Sequence, residues 1–203
     1  MIKNMDIMKG NLIFKFFSEW HCSSGLTGTS EIDLTPVKDD FGFPYIPGRT
    51  IKGLLRDFAQ SIYESSNNEE WGKFIENVFG MGGNNQGKVF FSNAVVSKSL
   101  KENILKISKE ENKFVIQHIY KRRTFTKIDE KTGIAEDKTL RSIEFVIPLI
   151  MISEWNCCGD ISIEEINMLK ICAKGIKRLG FNRNRGFGRC ECTCAESVKN
   201  VNQ

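Results

Sequence analysis

Hydrophobic and polar positions along the chain predict strands at some places and helices at others. Phe and Ile residues alternate in part over residues 11–22, which predicts a first strand. Directly after Pro47 and Gly48, apolar residues recur at helical spacing, which predicts a helix with one apolar face. The residues of that face are Ile51, Leu54, Leu55, Phe58, Ala59 and Ile62.

The same pattern predicts three further strands and a second helix. That helix begins at a capping box formed by Ser162 and Glu165, and Gly180 is expected to end it. An apolar stripe along it faces the predicted core. The strands are predicted at residues 88–97, 142–152 and 189–194, and the stripe comprises Ile166, Leu169, Cys172 and Ile176.

The order of these elements is strand, helix, strand, insertion, strand, helix, strand. This βαββαβ order predicts an α+β protein with a ferredoxin-like sheet and helices on one of its faces. The 203 residues contain no internal repeat and no linker, so we expect a single domain over residues 1–203. Residues 98–142 are mostly polar, and their pattern assigns no element. The fold alone indicates no function, because many functions share it.

A long segment between the first strand and the first helix, residues 23–44, is rich in Gly, Ser, Thr and Asp and suits a functional loop. Carboxylates in such a loop can hold a divalent metal ion or orient a nucleophile, although surface acids often do neither. The two histidines, His21 and His118, form a conceivable acid–base pair, unless His21 is simply packed in a strand. The acidic residues of the loop are Glu31, Asp33, Asp39 and Asp40.

Positive charge is concentrated near the C-terminus, although the net charge is only +4 from 29 basic and 25 acidic residues. Between Lys174 and Arg189 there are six basic residues and no acidic one, which indicates a local anion site. Glycines in the stretch FNRNRGFG let a ligand approach the backbone closely. Arg183, Arg185 and Arg189 add forked donors that suit phosphate oxygens. The alternative is a helix-to-strand turn that happens to carry arginines.

Two other basic groups strengthen the phosphate-binding interpretation. Arg49, Lys52 and Arg56 follow one side of the first predicted helix, where the alternative is a solvated face. The insertion contains Lys121, Arg122 and Arg123 between Tyr120 and Phe125, and aromatic residues among basic ones suit base stacking. A flexible polar insertion is the alternative there. The residues alone therefore predict a protein that binds RNA or a nucleotide phosphate.

Seven cysteines without a secretory signal predict reduced thiols and no disulfide framework. Cys190, Cys192 and Cys194 alternate, so on a strand they share one face, which is either a zinc site or part of the core. No apolar run approaches the length needed to cross a bilayer. We therefore expect a cytoplasmic protein with no membrane partner.

Three stretches in a fixed order extend this interpretation: IDLTPVKDDFGFPYIPGRTIKGLLR, FTKIDEKTGIAEDKTLRSIEFV and LGFNRNRGFGRCE. Together they resemble the three signature regions of the CRISPR-associated RAMP superfamily. More narrowly, they resemble the backbone (Cas7-like) subunits of type III effector complexes. The resemblance covers most of residues 10–195 and includes the intervening stretch VFGMGGNNQGKVFFSNA.

This resemblance implies a modified ferredoxin-like palm with an inserted thumb hairpin at about residues 118–145. The implied partners are a guide RNA, a target RNA, copies of the chain and other effector subunits. The thumb would wedge into the guide–target duplex, while base pairing supplies the sequence specificity. The implied RNA-binding residues are Arg49, Lys52, Arg56, Lys121, Arg122, Arg123, Gly180, Asn182, Arg183, Arg185, Gly186, Gly188 and Arg189.

The resemblance also implies metal-dependent cleavage of target RNA at regular intervals. By its position in the motif, Asp33 is then both the catalytic carboxylate and the ligand of Mg²⁺ or another divalent cation. One alternative is a non-catalytic structural subunit of the same complex, in which Asp33 is idle. Another is an endoribonuclease that processes repeat RNA with a histidine and without a metal ion.

Overall fold

In the computed structural model, two larger β-sheets, a two-stranded sheet and four α-helices make up most of the described residues. The structure describes residues 8–27, 32–81, 85–110, 114–129, 131–135 and 139–196. The strands are β1 (Lys9–Phe16), β2 (Ser23–Thr27), β3 (Leu34–Pro36), β4 (Gly80–Met81), β5 (Asn85–Gln86), β6 (Val89–Phe91), β7 (Val95–Val96), β8 (Tyr120–Phe125), β9 (Arg141–Val146), β10 (Ile150–Cys157) and β11 (Cys190–Glu196). The α-helices are α1 (Gly48–Ser66), α2 (Glu69–Phe74), α3 (Lys98–Glu110) and α4 (Ile163–Gly175), with a π-helical turn at Ile75–Phe79 and 3₁₀ turns at Val115–Ile119 and Arg183–Arg185.

The central sheet is antiparallel and has the strand order β11-β1-β10-β6, with β7 also paired to β10. Alternation along β1 places Leu12, Phe14 and Phe16 on one buried face, where α1 and α4 contribute to the same core. The apolar face of α1 is confirmed, and its Ile51 and Leu55 are fully buried. This arrangement confirms the predicted ferredoxin-like palm.

A second sheet of order β2-β3-β9-β8 contains the inserted hairpin. Strands β8 and β9 pair antiparallel from Tyr120 opposite Val146 to Phe125 opposite Arg141. Strand β3 joins β9 in parallel through Leu34 and Ile143. The prediction of an irregular loop over residues 23–44 is wrong for β2 and β3. Their short segments have no strand pattern of their own and depend on pairing with distant partners.

The chain passes between the two larger sheets four times, and the sequence pattern conceals the passages from β1 to β2 and from β9 to β10. Residues 142–152 form two strands in different sheets, separated around Pro148, which has no N–H for a ladder bond. Likewise, β1 ends at Phe16, and Trp20 beyond it exchanges backbone hydrogen bonds of 3.0 and 2.8 Å with Val146. Each of these predicted strands was therefore too long.

Three other boundaries also differ from the sequence prediction. The strand predicted at residues 88–97 is divided into β6 and β7, and the unassigned polar stretch contains α3. The capping box of Ser162 and Glu165 is confirmed, but α4 ends at Gly175 rather than Gly180. The segment after Gly175 instead turns to pair with the returning chain, where the N–H of Leu179 donates to the carbonyl of Gly188.

The alternating cysteines of β11 belong to the palm core. Cys190 and Cys192 are buried, and burial raises the pKa of the Cys190 thiol to about 12. Thiolate, the form that binds zinc, is therefore disfavoured there. In the described ranges, no three Cys, His, Asp or Glu side chains come together as metal ligands. No helix of the described residues is long and apolar enough to cross a membrane.

Candidate nucleic-acid interface

Residues 180–189, which we call the arginine loop, are held against the segment that follows β1. The N–H of Phe17 donates to the carbonyl of Arg189, and the N–H of Gly188 donates to that of Glu19, each over 2.8 Å. At the start of the loop, the N–H of Phe181 donates to the carbonyl of His21 over 2.8 Å. The conformation of the loop is therefore fixed by the palm itself.

Two glycines of the loop are required by their geometry. Gly188 has φ +68°, and a Cβ there would lie 1.9 Å from the carbonyl oxygen of Leu179. Gly180 has φ +101°, and its Cβ would lie 2.4 Å from the carbonyl oxygen of His21. These close approaches leave no room for a side chain, so the glycines shape the loop that presents the arginines.

The arginine side chains of the loop point outward. Arg183, Arg185 and Arg189 are exposed, and no carboxylate of the described residues forms an ion pair with them. The backbone N–H of Arg189 donates to Ser18 Oγ over 2.9 Å, which fixes its main chain. Planar guanidinium groups that lack an internal acidic partner are well suited to bind phosphate oxygens in pairs.

Aromatic side chains connect the arginine loop to the β8–β9 hairpin. The Phe187 ring of the loop stacks on Phe145 of β9 at 4.3 Å between centroids. Phe125 of β8 lies 5.9 Å from the same Phe187 ring, edge to face. The loop and the base of the hairpin are thus packed as one unit.

The basic residues of β8 have a different environment from those of the loop. Arg123 binds both carboxylate oxygens of Glu19 at 2.8 and 2.6 Å, and Lys121 Nζ lies 3.6 Å from the same carboxylate. The hydrogen bond from Arg123 lowers the pKa of Glu19 below its usual range. Strand alternation places Arg122 on the opposite face of β8. Arg123 and Lys121, which were predicted to bind RNA, are therefore engaged by Glu19 within the protein.

The basic residues of α1 begin at a separate open cleft of about 720 Å³. Arg49 lies at its wall, and Lys52 and Arg56 follow on the next two turns of α1. The first turn of α1 contains no acidic residue, and the Gly48 N–H donates to Asn93 Oδ1 over 2.9 Å. The positive end of the helix dipole therefore faces the cleft without a carboxylate from its own first turn. The cleft is lined by Thr35, Pro36, Val37, Lys38, Tyr45, Pro47, Gly48, Arg49, Phe91 and Asn93.

The hairpin lies between the cleft and the arginine loop. Glu144 of β9 forms a 2.7 Å ion pair with Lys38 of the cleft, and its backbone carbonyl accepts a 2.7 Å hydrogen bond from His21 Nδ1. His21 also lies 6.0 Å, ring to ring, from Phe181 of the arginine loop. The structure therefore joins two of the predicted basic regions through residues 17–21 and places the third beyond β9.

Asp33 is exposed at the point where β3 meets β9. Its backbone N–H donates to the Ser142 carbonyl over 2.8 Å, and its Oδ2 accepts from the Ser142 N–H over 2.7 Å. These two bonds fix the side chain beside the Thr124–Ser142 pair, near the loop end of the β8–β9 ladder. Mg²⁺ in proteins that act on phosphates is often held by one or two carboxylates together with the substrate. Asp33 fits this kind of site, in which RNA would supply further oxygen ligands.

The other acidic residues of the loop differ from Asp33. Asp39 is partly buried, which raises the pKa of its carboxyl, but bonds from Lys101, Phe43 and Phe41 outweigh this and lower it overall. Lys101 Nζ lies 2.6 Å from Asp39, so this carboxylate has a structural role. Asp40 is exposed, and Glu31 lies outside the described residues.

The two histidines do not share a site. His21 is fully buried, which confirms its interpretation as a packed residue, and burial lowers the pKa of its imidazole. His118 is exposed in the 3₁₀ turn before β8. An acid–base mechanism that uses both histidines is therefore not supported by this geometry.

Sequence analysis missed two residues of this surface. Glu19 carries no motif, because its role depends on Arg123, which is 104 positions away in the chain. Phe17 is 47% exposed. The sequence did indicate this, because Phe17 continues the alternation by which every second residue of β1, such as Lys15, points away from the core. Both belong to the segment that anchors the arginine loop.

Comparison with known proteins identifies relatives by sequence family and by structure. The RAMP superfamily model matches residues 13–191. A chain of the type III-B Cmr-beta complex bound to cognate target RNA superposes with a TM-score of 0.67 at 16% identity, covering 92% of this chain and 96% of that one. A chain of the apo Cmr-beta complex gives 0.65 at 16% identity, covering 96% and 98%. Among curated protein sequences, none matches. With the family model matching most of its length, the chain belongs to the RAMP superfamily.

Proposed function

We propose that this protein is a backbone subunit of a type III CRISPR effector complex that binds the guide RNA. The observation that carries the proposal is the arginine loop, in which the palm fixes the backbone and three guanidinium groups have no acidic partner among the described residues. Contacts of this kind bind the RNA backbone irrespective of sequence, and base pairing can then supply the specificity. The basic side of α1, on which Arg49 is exposed and Lys52 and Arg56 are partly buried, would extend the same RNA path.

The structural relatives support the proposed setting. Similar chains are found in Cmr-beta complexes, one of which is bound to cognate target RNA. We infer that the partners of this chain are a guide RNA, a target RNA, copies of itself and other effector subunits.

We infer that the β8–β9 hairpin acts as the thumb on the guide–target duplex. Its far end exposes the apolar side chains of Ile128, Ile134 and Leu140, which are 59%, 68% and 69% accessible. Apolar side chains that insert between base steps unstack and kink a duplex. A kinked target strand can bring a ribose 2′-hydroxyl into line with the adjacent phosphate.

We further propose that Asp33 carries metal-dependent cleavage of the target RNA. Its support is position, because the carboxylate is exposed and is held by Ser142 of β9, next to the segment that connects the strands of the thumb. A divalent cation bound there would neutralise charge that develops on the phosphate. Asp33 itself would hold the cation with one oxygen while the Ser142 N–H keeps the other oxygen in place.

The experiment compares Asp33→Asn with the unchanged chain in the assembled complex. Asn retains an oxygen that can accept from the Ser142 N–H but loses the charge that binds a cation. We expect cleavage to fall about 100-fold or more, because several kcal/mol of transition-state stabilisation are lost. Retention of guide RNA should not change. Asp40→Asn is the matched control, since Asp40 is an exposed aspartate of the same loop.

Cleavage that persists in Asp33→Asn at the same spacing, or in the presence of a chelator, would contradict the catalytic proposal alone. One observation favours a structural subunit instead, namely that Asp33 Oδ2 already has a role in joining β3 to β9. That alternative predicts that Asp33→Ala lowers stability while cleavage by the complex is unaffected. If the unchanged chain does not bind guide RNA in the assembled complex, the RNA-binding proposal is contradicted.

A further inference from the structure

An exposed aromatic residue, Phe17, lies on the open face of the central sheet. The inner face of β1 packs against the helices, so Ile13 and Lys15 point to the other side. Phe17 continues this outward row just beyond the strand and is 47% exposed. Its backbone N–H donates to the carbonyl of Arg189 over 2.8 Å. The ring is therefore fixed beside the end of the arginine loop.

Two cations flank this ring. Lys15 Nζ lies 5.4 Å from the centroid of Phe17, and the guanidinium carbon of Arg189 lies 5.9 Å from it. Glu191 faces Lys15 in the strand register but forms no ion pair with it within the described ranges. Both cations thus remain available to an anion while they border an aromatic surface.

A second phenylalanine on the same open face provides a comparison. Phe90 of β6 pairs in register with the outward-facing Asn156 and is 48% exposed. In the described part of the chain, no lysine or arginine lies over its ring. Equal exposure therefore occurs with and without flanking cations, and only Phe17 combines an accessible ring with two of them.

We propose that Phe17 is a stacking platform for a nucleobase of the bound RNA strand. Arg189 and Lys15 contact the phosphates on either side of that nucleotide. Every nucleobase has a flat π-face, so such a platform accepts any sequence, as a guide-binding subunit requires. This inference rests on the proposed RNA-binding function and adds to it a base contact beside the phosphate contacts of the arginine loop.

The first experiment uses fluorescence of Phe17→Trp in the full chain. Trp20 and Trp155 are fully or almost fully buried, and the partly buried Trp71 of α2 is shared by the variants and the unchanged chain. The difference in emission between a variant and the unchanged chain therefore reports on the added tryptophan. The probe is a single-stranded oligouridylate of about 12 nucleotides, within the usual range of site sizes. We expect the probe to quench the emission of Phe17→Trp by stacking. Phe90→Trp, the matched control, should change little.

The second experiment measures affinity for the same probe at several salt concentrations. Phe17→Ala should weaken binding about 5- to 150-fold, the range that loss of one stacked base gives. The dependence of log K on log salt should keep its slope, because no charge is removed. Arg185→Gln should instead reduce that slope by about 0.7. Phe17→Leu should bind as weakly as Phe17→Ala, since it is apolar but has no ring.

Two results would overturn the platform while leaving RNA binding intact: unchanged affinity in both Phe17→Ala and Phe17→Leu, or equal quenching at Phe17→Trp and Phe90→Trp. The platform would also be overturned if the chain self-associates in sedimentation experiments without RNA and this association shields the tryptophan of Phe17→Trp from solvent. That result would assign the ring to an interface between copies of the chain. If the unchanged chain and all variants fail to bind the probe and the guide alike, the RNA-binding function itself is contradicted.

Discussion

The arginine loop and the base of the β8–β9 hairpin are both basic, and both contact residues 17–21, yet their cations differ. Arg183 and Arg185 of the loop have no acidic partner in the described residues, whereas Arg123 and Lys121 of the hairpin share Glu19. A basic cluster in sequence therefore does not by itself identify a binding surface. A single acid, placed by the fold, determines whether the cations are available to an external anion.

The largest effect is expected from breaking the shape of the loop. In Gly188→Ala, the added Cβ would meet the Leu179 carbonyl oxygen and the residue would keep an unfavourable φ. We expect the free energy of unfolding to fall by about 3 kcal/mol and RNA binding by the loop to be lost. Urea unfolding and a filter-binding assay measure the two effects.

Gly186→Ala is the control for Gly188→Ala. Gly186 also has a positive φ, +88°, but its Cβ would point into open space. The free energy of unfolding should then fall only by the penalty for a left-handed backbone conformation, about 1–2 kcal/mol. Equal destabilisation by the two substitutions would show that the close contact with Leu179 does not determine the loop.

The substitution Glu19→Gln tests the comparison directly, because it removes the acid that pairs with the cations of the hairpin. Arg123 and Lys121 would then be available to phosphates, as the loop arginines already are. We expect affinity for single-stranded RNA to rise, with a salt slope steeper by about 0.7 for each freed cation that contacts a phosphate. Glu64→Gln, which removes an exposed acid near the end of α1, is the control for net charge. Weaker binding in Glu19→Gln would instead mean that Glu19 orients Arg123 for RNA.

A smaller effect is expected from pH, because His21 lies between the two regions. Burial lowers the pKa of this imidazole, so the unfolded chain takes up a proton near pH 6.5 that the folded chain does not. The contribution of His21 to the free energy of unfolding should therefore be fully present above about pH 6.5 and should decrease as the pH falls below that value. Urea midpoints measured across this range should show the decrease, and His21→Phe should remove it. An unchanged pH dependence in His21→Phe would assign the effect to other groups.

Elements with a strong local pattern could be predicted from the sequence, and elements that depend on distant partners could not. The apolar face of α1 and the capping box at Ser162 are local features, and both are present. Strands β2 and β3 exist because β9 offers them an edge, and no local signal indicates them. The sequence also gives no sign that the chain leaves one sheet for the other at Pro148, because apolar residues continue on both sides of that proline.

The candidate site follows the same rule. The arginine loop was evident from its composition, because glycines and acid-free arginines are adjacent in sequence. The bond from Ser142 to Asp33 joins residues 109 positions apart, and the pairing of Glu19 with Arg123 spans 104. These long-range contacts decide which charged groups are held and which are exposed, and they arise only when the two sheets have formed.

The anchoring of the arginine loop has a consequence for the synthesis of the protein. The bond between Arg189 and Ser18 joins residues 171 positions apart, and β1 receives its outer neighbour β11 from the last described part of the chain. A ribosome must therefore release the residues up to β11 before the loop can take its shape. Nascent chains that have not reached β11 lack this anchor, so the RNA contacts proposed for the loop can form only after β11 has been made.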